Sequence, residues 1–133
     1  MYTNADGLPN KLNELKVLAQ SDKSKSDFIA VTEVKYKNNW ELLDSELKIE
    51  GYSLYSNDLS GNGRGVALWH SALLKEDVHC NLLYVDSKYK DFVVLQMERG
   101  VDEKLLIGIF YRSPNSSPES DEEFFKLLNL GCW

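Results

Sequence analysis

The stretch FIAVTE, at residues 28–33, is a nearly continuous apolar run that ends in the carboxylate of Glu33. Such a run, without polar alternation, is typical of a β-strand that is covered on both faces. The chain opens with MYTNADG, so Asn4 and Asp6 follow what is predicted to be the tail of another strand. Ligand sites in open α/β sheets gather at the carboxyl ends of strands. We therefore expect Asn4, Asp6 and Glu33 to converge on a hard divalent cation such as Mg²⁺, which prefers carboxylate oxygens, water and phosphate.

Three helices are predicted around these strands. The first lies between the two opening strands, because leucines recur there at every third or fourth residue. The second is expected to be capped by Asn38 and Asn39, and the third to begin at residues 117–119, a Ser-Pro-Glu sequence. The apolar positions of the three helices are, in order, Leu8, Leu12, Leu15 and Leu18; Trp40, Leu43 and Leu47; and Phe124, Phe125, Leu127 and Leu128.

Five further strands are predicted, at residues 51–57, 65–70, 78–84, 92–97 and 105–111. The first two flank a turn rich in Gly and Asn and are expected to form a hairpin. Part of that turn, GNGRG, lacks the Lys-Ser/Thr pair and the following helix of a phosphate loop, so it is interpreted as a turn only. The short connection before the last strand favours antiparallel pairing. The whole chain, residues 1–133, is therefore predicted to be one mixed α/β domain with a largely antiparallel sheet and flanking helices.

The composition is that of a folded domain, with 43% apolar and 27% charged residues in a chain of 133. The formal net charge of −6 at pH 7 argues against broad, non-specific electrostatic binding to nucleic acid. It does not exclude a nuclease, because a bound metal ion reverses the local field of an acidic site.

Neither a membrane span nor a secretory signal is recognisable in the sequence. No apolar run approaches the roughly 18 residues needed to cross a bilayer, and no apolar segment with a basic flank opens the chain. Cys80 and Cys132 are far apart and match neither a metal-binding nor a disulfide pattern. We expect an intracellular protein, nuclear or cytoplasmic and not secreted, with no membrane partner.

Four motifs, in this order, resemble the endonuclease/exonuclease/phosphatase superfamily. They are TNADGLPNKLNEL at residues 3–15, TE at 32–33, GVAL at 65–68 and YRSPN at 111–115. Within that superfamily they look most like the endonuclease domains of non-LTR (LINE-type) retrotransposons, in which an opening of the type T-N-A-x-x-L-x-x-K-L-x-E-L is typical. The resemblance spans nearly the whole chain. It implies phosphodiester hydrolysis that depends on Mg²⁺ or Mn²⁺, with DNA as the substrate.

The resemblance also implies roles for individual residues. Glu33 resembles the metal-binding glutamate of the superfamily, and Asp6 resembles a nearby acidic residue at the same metal. Asn4 and Tyr111 resemble the catalytic asparagine and tyrosine beside the scissile phosphate. In the loop that follows the tyrosine, Arg112 and Asn115 resemble residues that contact DNA phosphates.

Two departures from the family pattern limit what is expected of this chain alone. One extra residue lies between Tyr111 and Pro114, compared with the Y-x-P-N form of the loop, and the G-D-x-N and S-D-H motifs of the second half do not occur. The chain is therefore expected to be the N-terminal half, truncated at both ends, of a four-layered α/β sandwich of the DNase I-like fold. It should be inactive alone, because the water-activating aspartate and the phosphate-contacting histidine belong to the absent half. The implied partners are DNA, the missing C-terminal half and a reverse transcriptase domain further along the parent protein.

Two other interpretations stay open from the sequence. A phosphatase or phosphoesterase of the same superfamily would carry similar motifs, since substrate specificity there depends largely on loops of the second half. A non-catalytic remnant, or a weak interaction module, would expose the inner face of half a sandwich, and large exposed apolar patches favour association. The apolar residues expected on that uncovered face are Val66, Leu68, Val93, Leu95, Ile107 and Ile109.

Overall fold

Two β-sheets and two α-helices form the described part of the chain, which confirms the mixed α/β prediction. The structure is a computed structural model that describes residues 1–21, 27–35, 42–57, 63–71, 78–83 and 87–130. Each described strand begins and ends within two residues of its predicted bounds. The elements are β1 (Tyr2–Asn4), α1 (Leu12–Gln20), β2 (Phe28–Thr32), β3 (Tyr52–Asn57), β4 (Val66–Ser71), β5 (Val78–Leu82), β6 (Phe92–Arg99), β7 (Glu103–Phe110) and α2 (Pro118–Leu130), with 3₁₀ turns at Leu8–Asn10 and Asp44–Leu47.

The first sheet is built around β2 and has the strand order β1-β2-β4-β3. β1 lies parallel to β2, and α1 forms the crossover that a parallel pair requires. β4 lies antiparallel to both β2 and β3, so the predicted hairpin partners are confirmed as neighbours. Four consecutive residues of β2, from Ile29 to Thr32, are buried. This confirms that β2 is covered on both faces.

Alternate residues of β2 contribute to two different cores, because successive side chains of a strand point to opposite faces. Ile29 and Val31 pack against the buried face of α1 in a cluster that also holds the fully buried Trp69. The indole N–H of Trp69 donates to the carbonyl oxygen of Leu47 at 3.1 Å. Ala30 belongs to a second cluster on the opposite face. β2 therefore lies between α1 and a further layer.

That further layer is the second sheet, which is antiparallel and has the order β5-β6-β7. A shared apolar core joins it to the first sheet, so the expectation of an uncovered inner face is wrong. The reason is that the strands divide between two sheets that pack on each other, instead of forming one sheet with a bare side. Six residues were expected to be exposed. Four of them are at most 2% exposed: Val66, Leu68, Val93 and Leu95. The other two, Ile107 and Ile109, are partly buried against the same cluster.

α2 covers the other face of the second sheet. Leu127 of α2 is fully buried in a cluster with Phe92 and Val94 of β6, and Phe124 packs against the same cluster. Phe125, which was predicted on the apolar side of this helix, is 56% exposed. The three clusters together stack the described elements in the order helix, sheet, sheet, helix. None of the helices in the described ranges is long and apolar enough to cross a membrane.

Two further details of the predicted helices are wrong. In α1, Ala19 is buried and Leu18 is 53% exposed, because the buried stripe continues four residues beyond Leu15 instead of three. The described part of the predicted second helix is only a four-residue 3₁₀ turn. Leu43 lies just before this turn, in extended conformation, and is 60% exposed. Its backbone N–H donates to the carboxylate of Glu46 at 2.9 Å. Asn38, Asn39 and Trp40 lie outside the described residues.

We predict that the core between the two sheets carries much of the stability of this chain. Leu68→Ala should lower the free energy of unfolding by about 2–5 kcal/mol, because it leaves a cavity where a fully buried side chain now packs. Urea denaturation followed by tryptophan fluorescence measures the change. Val101→Ala is the matched control, since Val101 is 93% exposed in the β6–β7 turn. Equal stabilities for the two variants would contradict a packed interface between the sheets.

Candidate functional site

The backbone segments that follow β1 and β2 run side by side and hold the candidate residues together. Asn4 is opposite Thr32 in the parallel ladder, and the pairing continues beyond both strands. The N–H of Ala5 donates to the carbonyl of Thr32 at 3.0 Å, and the N–H of Gly7 donates to that of Glu33 at 2.9 Å. Between these bonds, Nδ2 of Asn4 donates to Oε1 of Glu33 at 2.8 Å. The amide and the carboxylate therefore meet, as the sequence predicts.

Both candidate metal-binding carboxylates lie on strained backbone. Asp6 has φ 45° and Glu33 has φ 51°, and they are the two non-glycine residues with positive φ among those described. Left-handed backbone costs an L-residue roughly 1–2 kcal/mol, and Asp tolerates it better than Glu. Strain of this kind is concentrated at functional sites, where the surrounding structure maintains it. Here the backbone hydrogen bonds between the two segments do so.

Arg64 bridges the two carboxylates. Its Nη2 lies 2.5 Å from Oδ1 of Asp6, and its Nη1 lies 3.0 Å from Oε2 of Glu33. The third nitrogen, Nε, donates to the carbonyl oxygen of Lys35 at 3.0 Å. The hydrogen bond from Arg64 and its positive charge hold the pKa of Asp6 below its usual value. The side chains of Arg64 and Glu33 are mostly buried, at 19% and 17% exposed, whereas that of Asp6 is 71% exposed.

The position of Arg64 follows from the register of β2 and β4. Thr32 is opposite Val66, so the residues after β2 run beside the residues before β4. The N–H of Lys35 donates to the carbonyl of Arg64 at 2.7 Å and extends this antiparallel pairing. The local pattern of residues 61–65 predicts only a turn, so Arg64 is not recognisable from it as a member of the site. Its position immediately before GVAL would have indicated the site only once the pairing with β2 was known.

Tyr111 lies at the same site, directly after β7. Its backbone N–H donates to the carbonyl of Asp91 at 2.9 Å, and its own carbonyl accepts a hydrogen bond from the hydroxyl of Tyr89. Burial raises the pKa of the Tyr111 hydroxyl, and hydrogen bonding to Glu33 and the charge of Glu33 raise it further, while Arg64 acts in the opposite direction. The phenol therefore lies within electrostatic range of the Glu33 carboxylate.

Asp91 connects the two sheets at this site. Its backbone carbonyl holds Tyr111, and its Oδ1 accepts the backbone N–H of Gly65 at 3.0 Å. Gly65 has φ 79°, a conformation that a side chain would strain. Arg64, which precedes Gly65 in the first sheet, and Tyr111, which follows the second sheet, are thus tied to one common residue.

The other two predicted site residues have partners elsewhere. Arg112 forms a two-pronged ion pair with Asp121 in the first turn of α2, with Nε–Oδ1 2.8 Å and Nη2–Oδ2 2.9 Å. The pairing raises the pKa of Arg112 and lowers that of Asp121. Asn115 is exposed, and its backbone N–H donates to Oγ of Ser113 at 3.3 Å. Their contact with DNA phosphates stays a prediction.

The donor set of this site suits a hard divalent cation. It consists of the carboxylates of Asp6 and Glu33 and the side-chain amide of Asn4, and Mg²⁺ is commonly held by one or two carboxylates together with water and phosphate. No group of three or more His, Cys, Asp or Glu side chains is placed to hold a metal ion within the described ranges.

We predict that Glu33 is maintained at a cost in stability. Glu33→Gly should be about 1 kcal/mol more stable than Glu33→Ala, because both variants lose the carboxylate but only glycine adopts φ 51° without strain. Thermal and urea unfolding of the two variants measure the difference. The same pair of substitutions at Glu103, an exposed residue of β7, is the control and should show the opposite order. Glu33→Ala as the more stable variant at position 33 would contradict the strained backbone.

No model of a known protein family and no curated protein matches this chain.

Proposed function

We propose that this chain carries the first half of a metal-dependent phosphodiesterase domain of the endonuclease/exonuclease/phosphatase superfamily. Within that superfamily, its motifs resemble those of the DNA-nicking endonucleases of non-LTR retrotransposons. One observation carries the proposal: Asn4, Asp6, Glu33 and Tyr111 come from three separate motifs and meet in one connected group of hydrogen bonds and charges. The resemblance assigns these same four residues to one active site.

The layered arrangement also supports this proposal. The described elements stack as helix, sheet, sheet, helix, and each sheet contributes part of the site: β1, β2 and β4 on one side and β7 on the other. We propose that these four layers correspond to the four layers of the DNase I-like sandwich, and that this chain forms one half of that sandwich. The remaining half would bring the G-D-x-N and S-D-H motifs to the same edge of the sheets.

The residues present can supply part of the chemistry of phosphodiester hydrolysis. Asp6 and Glu33 would hold Mg²⁺ or Mn²⁺, which when bound supplies charge stabilisation for the phosphate. Asn4 fixes the orientation of the Glu33 carboxylate through its hydrogen bond to Oε1. Because the pKa of Tyr111 is raised, its hydroxyl is protonated at neutral pH and can donate a hydrogen bond to a phosphate oxygen.

The resemblance assigns the general base for the attacking water to the other half of the domain. His70 lies within β4, with Nε2 3.1 Å from the hydroxyl of Tyr55 and Nδ1 3.1 Å from the carbonyl of Ser71, and His79 lies on β5. Neither belongs to the group around Glu33 in the described structure. We propose that the chain alone does not turn over DNA. The alternative of an interaction module loses its main argument, since the apolar face that was expected to be exposed is packed between the sheets.

Binding of Mn²⁺ tests the metal site directly. In a nuclear magnetic resonance titration, paramagnetic Mn²⁺ should selectively broaden the backbone amide signals of residues 4–7 and 32–34, because those amides flank both carboxylates. Glu33→Gln should abolish the selective broadening. Glu103→Gln, at an exposed carboxylate whose nearest cation is Arg99 at 3.7 Å, is the matched control and should leave it unchanged. Broadening that is absent, or spread evenly over all acidic surfaces, would contradict the proposed metal site.

Nuclease activity of the chain alone should be undetectable. Supercoiled plasmid incubated with the purified chain and Mg²⁺ should stay supercoiled, because the residues that activate water are assigned to the other half of the domain. Agarose gel electrophoresis measures nicking. A preparation of Glu33→Ala controls for contaminating nucleases. Nicking by the parent chain that disappears in Glu33→Ala would show that the chain is already a complete enzyme.

A further inference from the structure

We propose that Arg64 is an internal counter-ion that exchanges with the divalent cation: it gives up its ion pairs with Asp6 and Glu33 when the cation binds between them. The inference rests on the proposed metal site and adds a residue to which neither the motifs nor the resemblance assigns a role. It makes metal binding a replacement of one cation by another, instead of the filling of a vacant group of ligands.

The geometry shows that Arg64 already acts as the cation of this site. Two different nitrogens of its guanidinium each hold one carboxylate, Nη2 with Asp6 at 2.5 Å and Nη1 with Glu33 at 3.0 Å. Both carboxylates are thus directed at one positive group, as they would be directed at one metal ion. The side chain is 19% exposed and the site is at the edge of a core, so these charges are screened less than those of a typical surface pair.

The charges favour the exchange. Asp6 and Glu33 together carry two negative charges at neutral pH, whereas Arg64 carries one positive charge. A divalent cation would match the pair in full. It could not occupy the same position together with the guanidinium, because two cations within a few ångströms repel each other strongly in a partly desolvated site. Since Oε1 of Glu33 is already bonded to Asn4, Oε2 is the oxygen that Arg64 would release to the metal.

The surroundings allow Arg64 to break its ion pairs with Asp6 and Glu33 without unfolding of the site. Its Nε is bonded to the carbonyl of Lys35 at 3.0 Å, and its backbone is held by the N–H of Lys35. The backbone of Arg64 can therefore stay in place while the guanidinium, which is rigid and planar, leaves the carboxylates and the carbonyl of Lys35 as one unit. The partner lost at Asp6 is 71% exposed, and ion pairs of such exposed groups contribute little to stability. Release is consequently inexpensive on that side and depends mainly on Glu33.

Calorimetric titration with Mg²⁺ separates this exchange from a purely structural role of Arg64. Arg64→Met removes the competing charge and keeps a chain of similar length, and we expect it to bind Mg²⁺ about tenfold more tightly than the parent chain, a difference that corresponds to about 1.4 kcal/mol. Arg64→Lys keeps a positive charge and should bind Mg²⁺ like the parent chain. Glu33→Gln, which removes a proposed ligand, should abolish binding in the background of Arg64→Met.

Two other outcomes of the calorimetric titration would overturn the exchange. If the parent chain binds Mg²⁺ and Arg64→Met binds it equally or less tightly, Arg64 positions the carboxylates and the exchange is overturned, while the metal site stands. If neither the parent chain nor Arg64→Met binds Mg²⁺, the proposed metal site fails and the exchange fails with it.

A measurement on the parent chain keeps the test independent of how well Arg64→Met folds. The ¹⁵N signals of the arginine side chains are recorded during the same Mg²⁺ titration, and the signal of Arg64 is identified by its loss in Arg64→Lys. We expect the Arg64 signal to shift with the midpoint of Mg²⁺ binding. The signal of Arg112 is the internal control and should not shift, because Arg112 is paired with Asp121. An unchanged Arg64 signal at saturating Mg²⁺ would overturn the exchange.

Discussion

The parallel pairing of β1 with β2 continues past both strand ends, and the candidate site depends on that continuation. Backbone hydrogen bonds run on to Gly7, which donates to Glu33 at 2.9 Å, and to Leu8, which donates to Val34 at 2.7 Å. These bonds carry the chain through two residues whose backbone is left-handed. The separation of the two carboxylates is therefore set by main-chain pairing, which is stiffer than attraction between side chains. Arg64 therefore bridges two carboxylates, those of Asp6 and Glu33, whose positions are already set by the backbone.

Much of this arrangement could be predicted from the sequence. The continuous apolar run of β2 indicates a strand buried on both faces, and the polar residues at the two strand ends indicate that Asn4 and Glu33 meet. Both conclusions need only local pattern and the geometry of parallel strands. Arg64 could not be found in this way, because its place beside Glu33 depends on the register in which Thr32 faces Val66. Register between distant strands is a property of the packed sheet and leaves no local periodic signal.

Two physical causes explain the wrong expectations, and the first is that a pattern shows that a residue is apolar but not what covers it. β6 is apolar at consecutive positions, and one set of its side chains faces the first sheet while the other faces α2. The expectation that half a sandwich leaves one inner face uncovered placed Val93 and Leu95 at the surface, whereas the two stacked sheets bury both. Near Leu43, a hydrogen bond from its own backbone to Glu46 outweighed the helical spacing of the leucines. Short polar bonds of this kind compete with regular secondary structure.

The hydrogen bonds of Asp91 connect the candidate site to the apolar core between the two sheets. One residue fixes the backbone on both sides of the site, through Gly65 in the first sheet and Tyr111 after the second. The distance between Arg64 and Tyr111 therefore depends on the thickness of the core between the sheets. A methyl group gained or lost in that core would reach the site as a change in distance, although it lies in a different layer from the carboxylates. Substitutions in the interior would then change the geometry of the candidate site, with Asp91 as the link.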